Sequence, residues 1–76
     1  MPRMVRRIID YLDRLPLGAM RTTKVLARQL GVSAANLYGF ATWPDLSAYR
    51  ATESHSKGRT LWGNTETIRA WHEQYP

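Results

Sequence analysis

The short polar segment that starts at Ser33 contains the side chains best suited to recognising nucleic-acid bases. An asparagine amide can donate to and accept from adenine at once, which makes Asn36 a candidate for direct base recognition. Small side chains allow a helix to approach DNA closely, and their methyl groups can contact thymine, whereas serine and tyrosine hydroxyls can bind a phosphate or a base edge. The predicted base contacts are Ser33, Ala34, Ala35, Asn36 and Tyr38.

Cationic and hydroxyl side chains flank this segment, where they could hold phosphates. Residues 1–28 contain seven arginines and lysines against two aspartates and so carry the whole net charge of +5, whereas residues 29–76 are neutral overall. This balance suits a polyanionic partner, although a solvated basic face would have the same composition. The predicted phosphate contacts are Arg21, Thr22, Thr23, Lys24, Arg28 and Thr42.

Other residues that could carry chemistry lack the partners they would need. The chain has no cysteine, and His55 and His72 do not have metal-ligand spacing, so the sequence predicts neither a metal site nor a cofactor. His72 and Glu73 could act as an acid-base pair, but the sequence pairs them with no candidate nucleophile. It also contains no phosphate-binding glycine loop, so we expect no enzyme activity. The tryptophans are interpreted as structural: Trp43, Trp62 and Trp71.

Four helices that would position these residues are indicated by hydrophobic spacing and by capping residues. In the first helix, apolar residues recur at helical spacing until Pro16 ends it. Gly31 ends the second helix, Ser33 caps the third, and Asn64 or Thr65 caps the last. The predicted helices span residues 4–15, 23–30, 34 to about 41, and 65–74.

Residues 45–63 fit two different structures. A capping box with a proline in its first turn favours a short helix over residues 45–51. Alternatively, residues 49–53 and 59–63 could pair as two strands across the polar turn 54–58, which would form a wing over residues 49–63. The residues that a wing or a minor-groove contact would use are Lys57, Arg59, Gly63 and Asn64.

Together these elements predict a mainly α fold in a single domain, residues 1–76. Its centre is a three-helix helix-turn-helix core, with the helix-turn-helix at about residues 22–42, followed by the C-terminal helix. If the two strands form, the fold is a winged helix-turn-helix. The sequence leaves this point open.

A helix pair of this kind is typical of proteins that place the second helix in the major groove. We therefore expect a sequence-specific regulator of transcription that binds double-stranded DNA, with repression as the expected outcome. It would act as a homodimer in the cytoplasm, at the nucleoid, with neither a membrane nor a small-molecule effector as partner. Two alternatives stay open: an architectural nucleoid-type protein that prefers A·T-rich DNA, and a small adaptor that binds another protein.

The segment that follows Val25 resembles the DNA-reading head of tetracycline-repressor-type regulators. The shared pattern is an alanine, then glycine-valine-serine, then leucine-tyrosine. The likeness covers about residues 4–50, without the ligand domain of that family, and implies that Ser33 and Tyr38 contact DNA. The residues that carry it are Leu26-Ala27-Arg28-Gln29-Leu30-Gly31-Val32-Ser33-Ala34-Ala35-Asn36-Leu37-Tyr38.

A shorter segment, residues 63–71, is similar to the C-terminal DNA-binding part of the MvaT group of H-NS-type nucleoid proteins. In that group a glycine-asparagine pair enters the minor groove of A·T-rich DNA. The resemblance implies minor-groove contacts from Arg59, Gly63 and Asn64. The residues themselves also allow a structural interpretation, in which Asn64 caps the last helix and Trp71 fills the core.

Overall fold

Helices and a small sheet alternate along the chain in a computed structural model that describes residues 1–53 and 59–75. The fold is therefore mixed, and the prediction of a mainly helical chain needs one correction, because the sheet has three strands instead of two. In chain order the elements are α1 (Arg3–Asp13), β1 (Arg21–Thr22), α2 (Thr23–Leu30), α3 (Ala34–Tyr38), a 3₁₀ helix (Pro44–Tyr49), β2 (Arg50–Glu53), β3 (Arg59–Trp62) and α4 (Thr65–Gln74).

The first helix, α1, supplies one side of the core. Val5, Ile8 and Leu12 recur at helical spacing and are fully buried. The helix ends at Asp13, two residues earlier than predicted, and Gly18 then adopts a positive φ of 87° in the connection to β1. Glycine suits this position because a side chain would be strained there.

A tight turn joins α2 to α3. The Thr22 hydroxyl accepts a hydrogen bond from the Val25 amide at 3.3 Å and so caps α2, which spans the residues predicted for it. Gly31 ends α2 in the left-handed conformation, with φ 72°. Two residues later the Ser33 hydroxyl accepts from the Asn36 amide at 3.1 Å and starts α3.

The third helix is shorter than predicted and ends at Tyr38 instead of about Ala41. Beyond Tyr38 the backbone amides bond to carbonyls three residues back, as in the 3.0 Å bond from Phe40 to Leu37 and the 2.9 Å bond from Trp43 to Phe40. Such bonds are typical of tight 3₁₀-type turns, so the chain after Tyr38 forms successive turns instead of a longer α-helix.

The three strands form an antiparallel sheet in the order β1-β3-β2. Trp62 at the end of β3 lies beside Arg21 of β1 and Arg50 of β2 in register. Its side chain is fully buried, and its indole N–H donates to the Thr23 hydroxyl at 2.9 Å. This bond joins the central strand to the first residue of α2.

Residues 45–63 combine both predicted structures. The chain forms a short 3₁₀ helix through Leu46 and then a hairpin of β2 and β3, while the connection 54–58 lies outside the described residues. Leu46 is fully buried and joins the same core as α1, α2 and α3. The members of that core are Val5, Ile8, Leu12, Leu26, Ala27, Leu30, Leu37, Leu46 and Trp62.

The last helix, α4, spans the residues predicted for it and is tied to the connection after α1. The Asn64 side chain accepts from the Thr67 amide at 2.8 Å and donates to the Leu15 carbonyl at 3.0 Å. The Thr67 hydroxyl accepts from the Gly18 amide at 2.9 Å. These bonds link the start of α4 to the connection between α1 and β1.

A side-chain hydrogen bond joins the last residue of the 3₁₀ helix to the last residue of α1. The Tyr49 hydroxyl donates to the Asp13 carboxylate at 2.8 Å. Burial, followed by this bond and by the charges of Asp13 and Asp10, raises the pKa of Tyr49 from 10.0 to about 12. Because the folded state favours the neutral phenol, the resulting stabilisation is complete below pH 10.0 and is lost as the pH rises to about 12.

We expect Tyr49→Phe to lower the free energy of unfolding at neutral pH by about 0.5–1.5 kcal/mol, because it removes this bond. We also expect the variant to lose less stability than the parent as the pH rises from 10.0 to about 12. Urea denaturation at a series of pH values measures both effects. The double variant Asp13→Asn/Tyr49→Phe should lose little more free energy of unfolding than either single variant. Equal losses in the parent and in Tyr49→Phe over this pH range would contradict the assignment.

Candidate nucleic-acid interface

The exposed face of α3 carries most of the predicted base-reading side chains. Ser33, Ala35 and Asn36 are exposed, and Tyr38 is 60 % exposed. Ala34 is half-buried and packs against the core, so the prediction that it lies on the free face needs correction. Four of the five predicted residues are therefore exposed on α3 or at its N-cap.

The opposite side of α3 packs against the core through Leu37. Leu37 is fully buried and belongs to the core, and α3 packs directly against α2. Val32, in the turn, is half-buried against the same core, and its amide donates to the Ala27 carbonyl at 3.0 Å. Because Ala27 is small, α2 and α3 can approach closely, which leaves the outer face of α3 open.

Two of the predicted phosphate contacts lie together on α2. Lys24 and Arg28 are both exposed and are four residues apart, so they occupy one face of the helix. Arg21 is half-buried, and its guanidinium donates to the Met20 carbonyl at 3.0 Å. Thr22 is half-buried and its hydroxyl oxygen caps α2, whereas Thr42 is exposed. The charged part of the predicted set thus centres on α2.

Thr23 does not belong to this surface. Its side chain is only 3 % exposed, and its hydroxyl accepts the indole N–H of Trp62. A phosphate could not reach it without displacing part of the core. The prediction of a phosphate contact at Thr23 is therefore wrong, because the residue joins α2 to the sheet.

No known protein family, curated protein or solved structure matches this chain. Among the helices of the described residues, none is both long enough and apolar enough to cross a membrane. Residues 1–53 and 59–75 also contain no group of three acidic or histidine side chains that could hold a metal ion.

The residues proposed for a wing or a minor-groove contact are not found together on an open surface. Lys57 lies outside the described residues, and Arg59 is exposed at the start of β3. Gly63 is buried, and a Cβ atom there would lie 3.1 Å from the Ala19 carbonyl oxygen. Asn64 uses its amide to cap α4 and to bond to Leu15. Gly63 and Asn64 therefore have structural roles.

The other aromatic and histidine side chains divide between core and surface. Trp62 is fully buried, as predicted for a structural residue, whereas Trp43 is 36 % exposed and its ring centroid lies 6.4 Å from that of Phe40. Trp71 is half-buried, with its centroid 5.1 Å from that of Tyr75. His72 is exposed on α4, while His55 lies outside the described residues.

One functional candidate was not predicted from the sequence. The guanidinium of Arg7, on α1, donates to the Leu30 carbonyl at 2.7 Å. This carbonyl is at the end of α2, immediately before the turn to α3. The contact brings the N-terminal part of α1 beside the helix pair. The recurrence of arginines at positions 3, 6 and 7 was the available signal, but their position relative to α3 depends on this contact across 23 residues.

Proposed function

We propose that this chain is a winged helix-turn-helix regulator that binds double-stranded DNA and reads sequence in the major groove with α3. The proposal rests above all on the exposure of Ala35, Asn36 and Tyr38 on a short helix that follows a glycine turn, and of its capping residue Ser33. Such a helix fits the major groove, where Asn36 can bind adenine through both of its amide groups. Lys24 and Arg28 would hold the sugar-phosphate backbone beside it.

The order of the elements supports the winged form of this proposal. A helix, a short strand, a helix pair and a hairpin follow one another, and β1 pairs with β3 of the hairpin. The β2–β3 hairpin would then be the wing, with Arg59 at its described end. The hairpin packs against α2 through β3, so a basic residue on it would suit the backbone of the same duplex.

A second copy of the chain is part of the proposal. A reading helix as short as α3 contacts few base pairs, so one copy would discriminate poorly between sequences. Two copies related by a twofold axis would place their α3 helices about one turn of DNA apart and read a palindromic site. Occupation of such a site at a promoter would repress transcription, and this action needs no cofactor.

The proposal is tested by selecting bound sequences from a pool of random duplexes with the parent and with Asn36→Ala. We expect the parent to recover a preferred site with adenines at fixed positions, and Asn36→Ala to lose about 1–3 kcal/mol of discrimination at one of them. The matched control is Gln74→Ala, which removes an exposed amide from α4 and should recover the parent's site.

Each of three other results would overturn the proposal. Equal loss by Asn36→Ala on selected and random duplexes would show that Asn36 does not read a base. Recovery of A·T-rich DNA without a defined site, with binding abolished by a minor-groove competitor, would favour an architectural protein. Binding that is weak, without a preferred site and insensitive to salt would favour a protein-binding adaptor.

A further inference from the structure

We propose that Arg3 and Arg6, in the first two turns of α1, form a second phosphate-binding surface for the same duplex. Arg7 positions this surface. This inference rests on the function proposed above and extends it to a helix outside the α2–α3 pair. Its ligand is the DNA backbone that flanks the bases read by α3. We call these three residues the α1 arginine cluster.

The position of the cluster follows from one contact. The guanidinium of Arg7 lies 2.7 Å from the carbonyl oxygen of Leu30, and Leu30 is three residues before Ser33. Arg3 is one helical turn before Arg7, and Arg6 is its neighbour in the chain, so both lie on the same end of α1. The side chains of Arg3 and Arg6 are exposed. The cluster therefore flanks the turn that leads into α3.

Arg28 lies near the end of α2 that Arg7 contacts. It is exposed, and it lies two residues before Leu30 on the last turn of α2. In α1 no acidic residue precedes Asp10, which lies one turn after Arg6 and Arg7, so the first turn of the helix carries positive charge alone. The acidic residues of α1 are confined to its second half, where Asp13 accepts the Tyr49 hydroxyl. The two ends of α1 thus differ in charge, and the basic end is the one beside the helix pair.

The sequence places these arginines where they do not help the helix. The N-terminus of a helix carries a partial positive charge, so cations in the first turn destabilise it slightly. Here the first turn of α1 has no acidic residue, and Pro2 makes no side-chain capping bond. A local conflict of this kind is typical of residues retained for function. A polyanion bound at this end would remove the conflict, because its charge would offset that of the arginines and of the helix terminus.

The experiment compares two variants that lose the same charge, Arg3→Gln/Arg6→Gln and Arg14→Gln/Arg69→Gln. Arg14 follows the other end of α1, and Arg69 is exposed on α4. The probes are the duplex recovered by selection and a random duplex of equal length, each titrated by fluorescence anisotropy at several salt concentrations. Arg7 is kept because its bond to Leu30 holds α1 in place.

We expect Arg3→Gln/Arg6→Gln to weaken binding to both probes roughly 30-fold at physiological salt and to reduce the salt slope by about 1.8, since each phosphate contact contributes about 0.9. The selected sequence should stay the same. We expect the control variant to bind like the parent. Trimming the flank of the selected duplex that faces α1 should remove the difference between the parent and Arg3→Gln/Arg6→Gln.

The outcomes separate this inference from the proposed function. If Arg3→Gln/Arg6→Gln binds like its control while Lys24→Gln/Arg28→Gln loses affinity, the inference is wrong and the proposed function stands. If the parent binds neither duplex, both are wrong. Thermal unfolding identifies a loss caused by misfolding, because removing first-turn cations should leave the melting temperature unchanged or slightly raised.

Discussion

Replacing Trp62 by alanine is expected to unfold most of the protein under conditions in which the parent is folded. The side chain is fully buried at the centre of the sheet, and removing a large aromatic residue from a core costs about 3–5 kcal/mol. The substitution also leaves the buried Thr23 hydroxyl without its donor. A chain of 76 residues has a small core, and its total stability is expected near the lower end of about 5–15 kcal/mol.

Urea denaturation followed by far-ultraviolet circular dichroism measures this effect without depending on tryptophan fluorescence. Trp62→Phe keeps most of the packing and loses the indole hydrogen bond, so its loss should be clearly smaller. Trp43→Ala is the matched control, because it removes a tryptophan that is 36 % exposed. If Trp62→Ala and Trp43→Ala unfold at the same urea concentration, Trp62 does not hold the core together.

The helices that begin at strong local signals could be predicted to the residue. The Thr22 cap and Gly31 determine α2, and the Asn64 cap determines the start of α4. Each of these signals acts over three or four residues, because a capping side chain bonds to an amide in the same turn. Such information is fully contained in a short stretch of sequence.

The sheet could be predicted only in part, because its pairing is not local. Strand β1 consists of two residues and has no periodicity, and it exists because Arg21 and Thr22 pair with Trp62 and Leu61 some forty positions later. Thr23 was misassigned for the same reason. A hydroxyl at the start of a helix can bind a phosphate or a buried partner, and the partner here is 39 residues away.

The residues between α3 and α4 show a different limit. In the sequence, the capping pattern at Pro44 and the strand pattern that starts at Tyr49 indicate alternative structures, yet the chain forms a 3₁₀ helix and then a hairpin. A six-residue 3₁₀ helix rises about 12 Å and can end where a strand begins. The two patterns therefore followed one another in the chain instead of excluding one another.

The face of α3 was predicted better than the surface around it. The exposure of Ala35 and Asn36 follows from helical periodicity once Leu37 is placed in the core. The neighbourhood of Arg7 depends on how α1 crosses the helix pair, which periodicity does not specify. The sequence thus predicted the exposed side chains of α3, and the tertiary structure was needed to find what lies beside them.

On the proposed function, removing both exposed cations of α2 is expected to weaken DNA binding as strongly as removing Arg3 and Arg6. In Lys24→Gln/Arg28→Gln two phosphate contacts are lost, so the salt slope should become less steep by about 1.8. Between about 1 M and about 0.15 M salt, each contact raises the affinity roughly fivefold. Losing both contacts should therefore lower the affinity at about 0.15 M salt about 30-fold. The loss should be equal on selected and random duplexes, because phosphates carry no sequence information.

The equal loss on both duplexes is what distinguishes Lys24 and Arg28 from Asn36. Replacing a base-reading side chain lowers the affinity for the preferred site and leaves the affinity for random DNA unchanged. Replacing a side chain that contacts a phosphate lowers the affinity for both. Arg69→Gln/Arg14→Gln removes the same charge elsewhere and should show how much of the loss comes from net charge alone. If the α2 variant lost affinity only for the selected duplex, Lys24 or Arg28 would be reading a base, and the docking of α2 against the backbone would have to be revised.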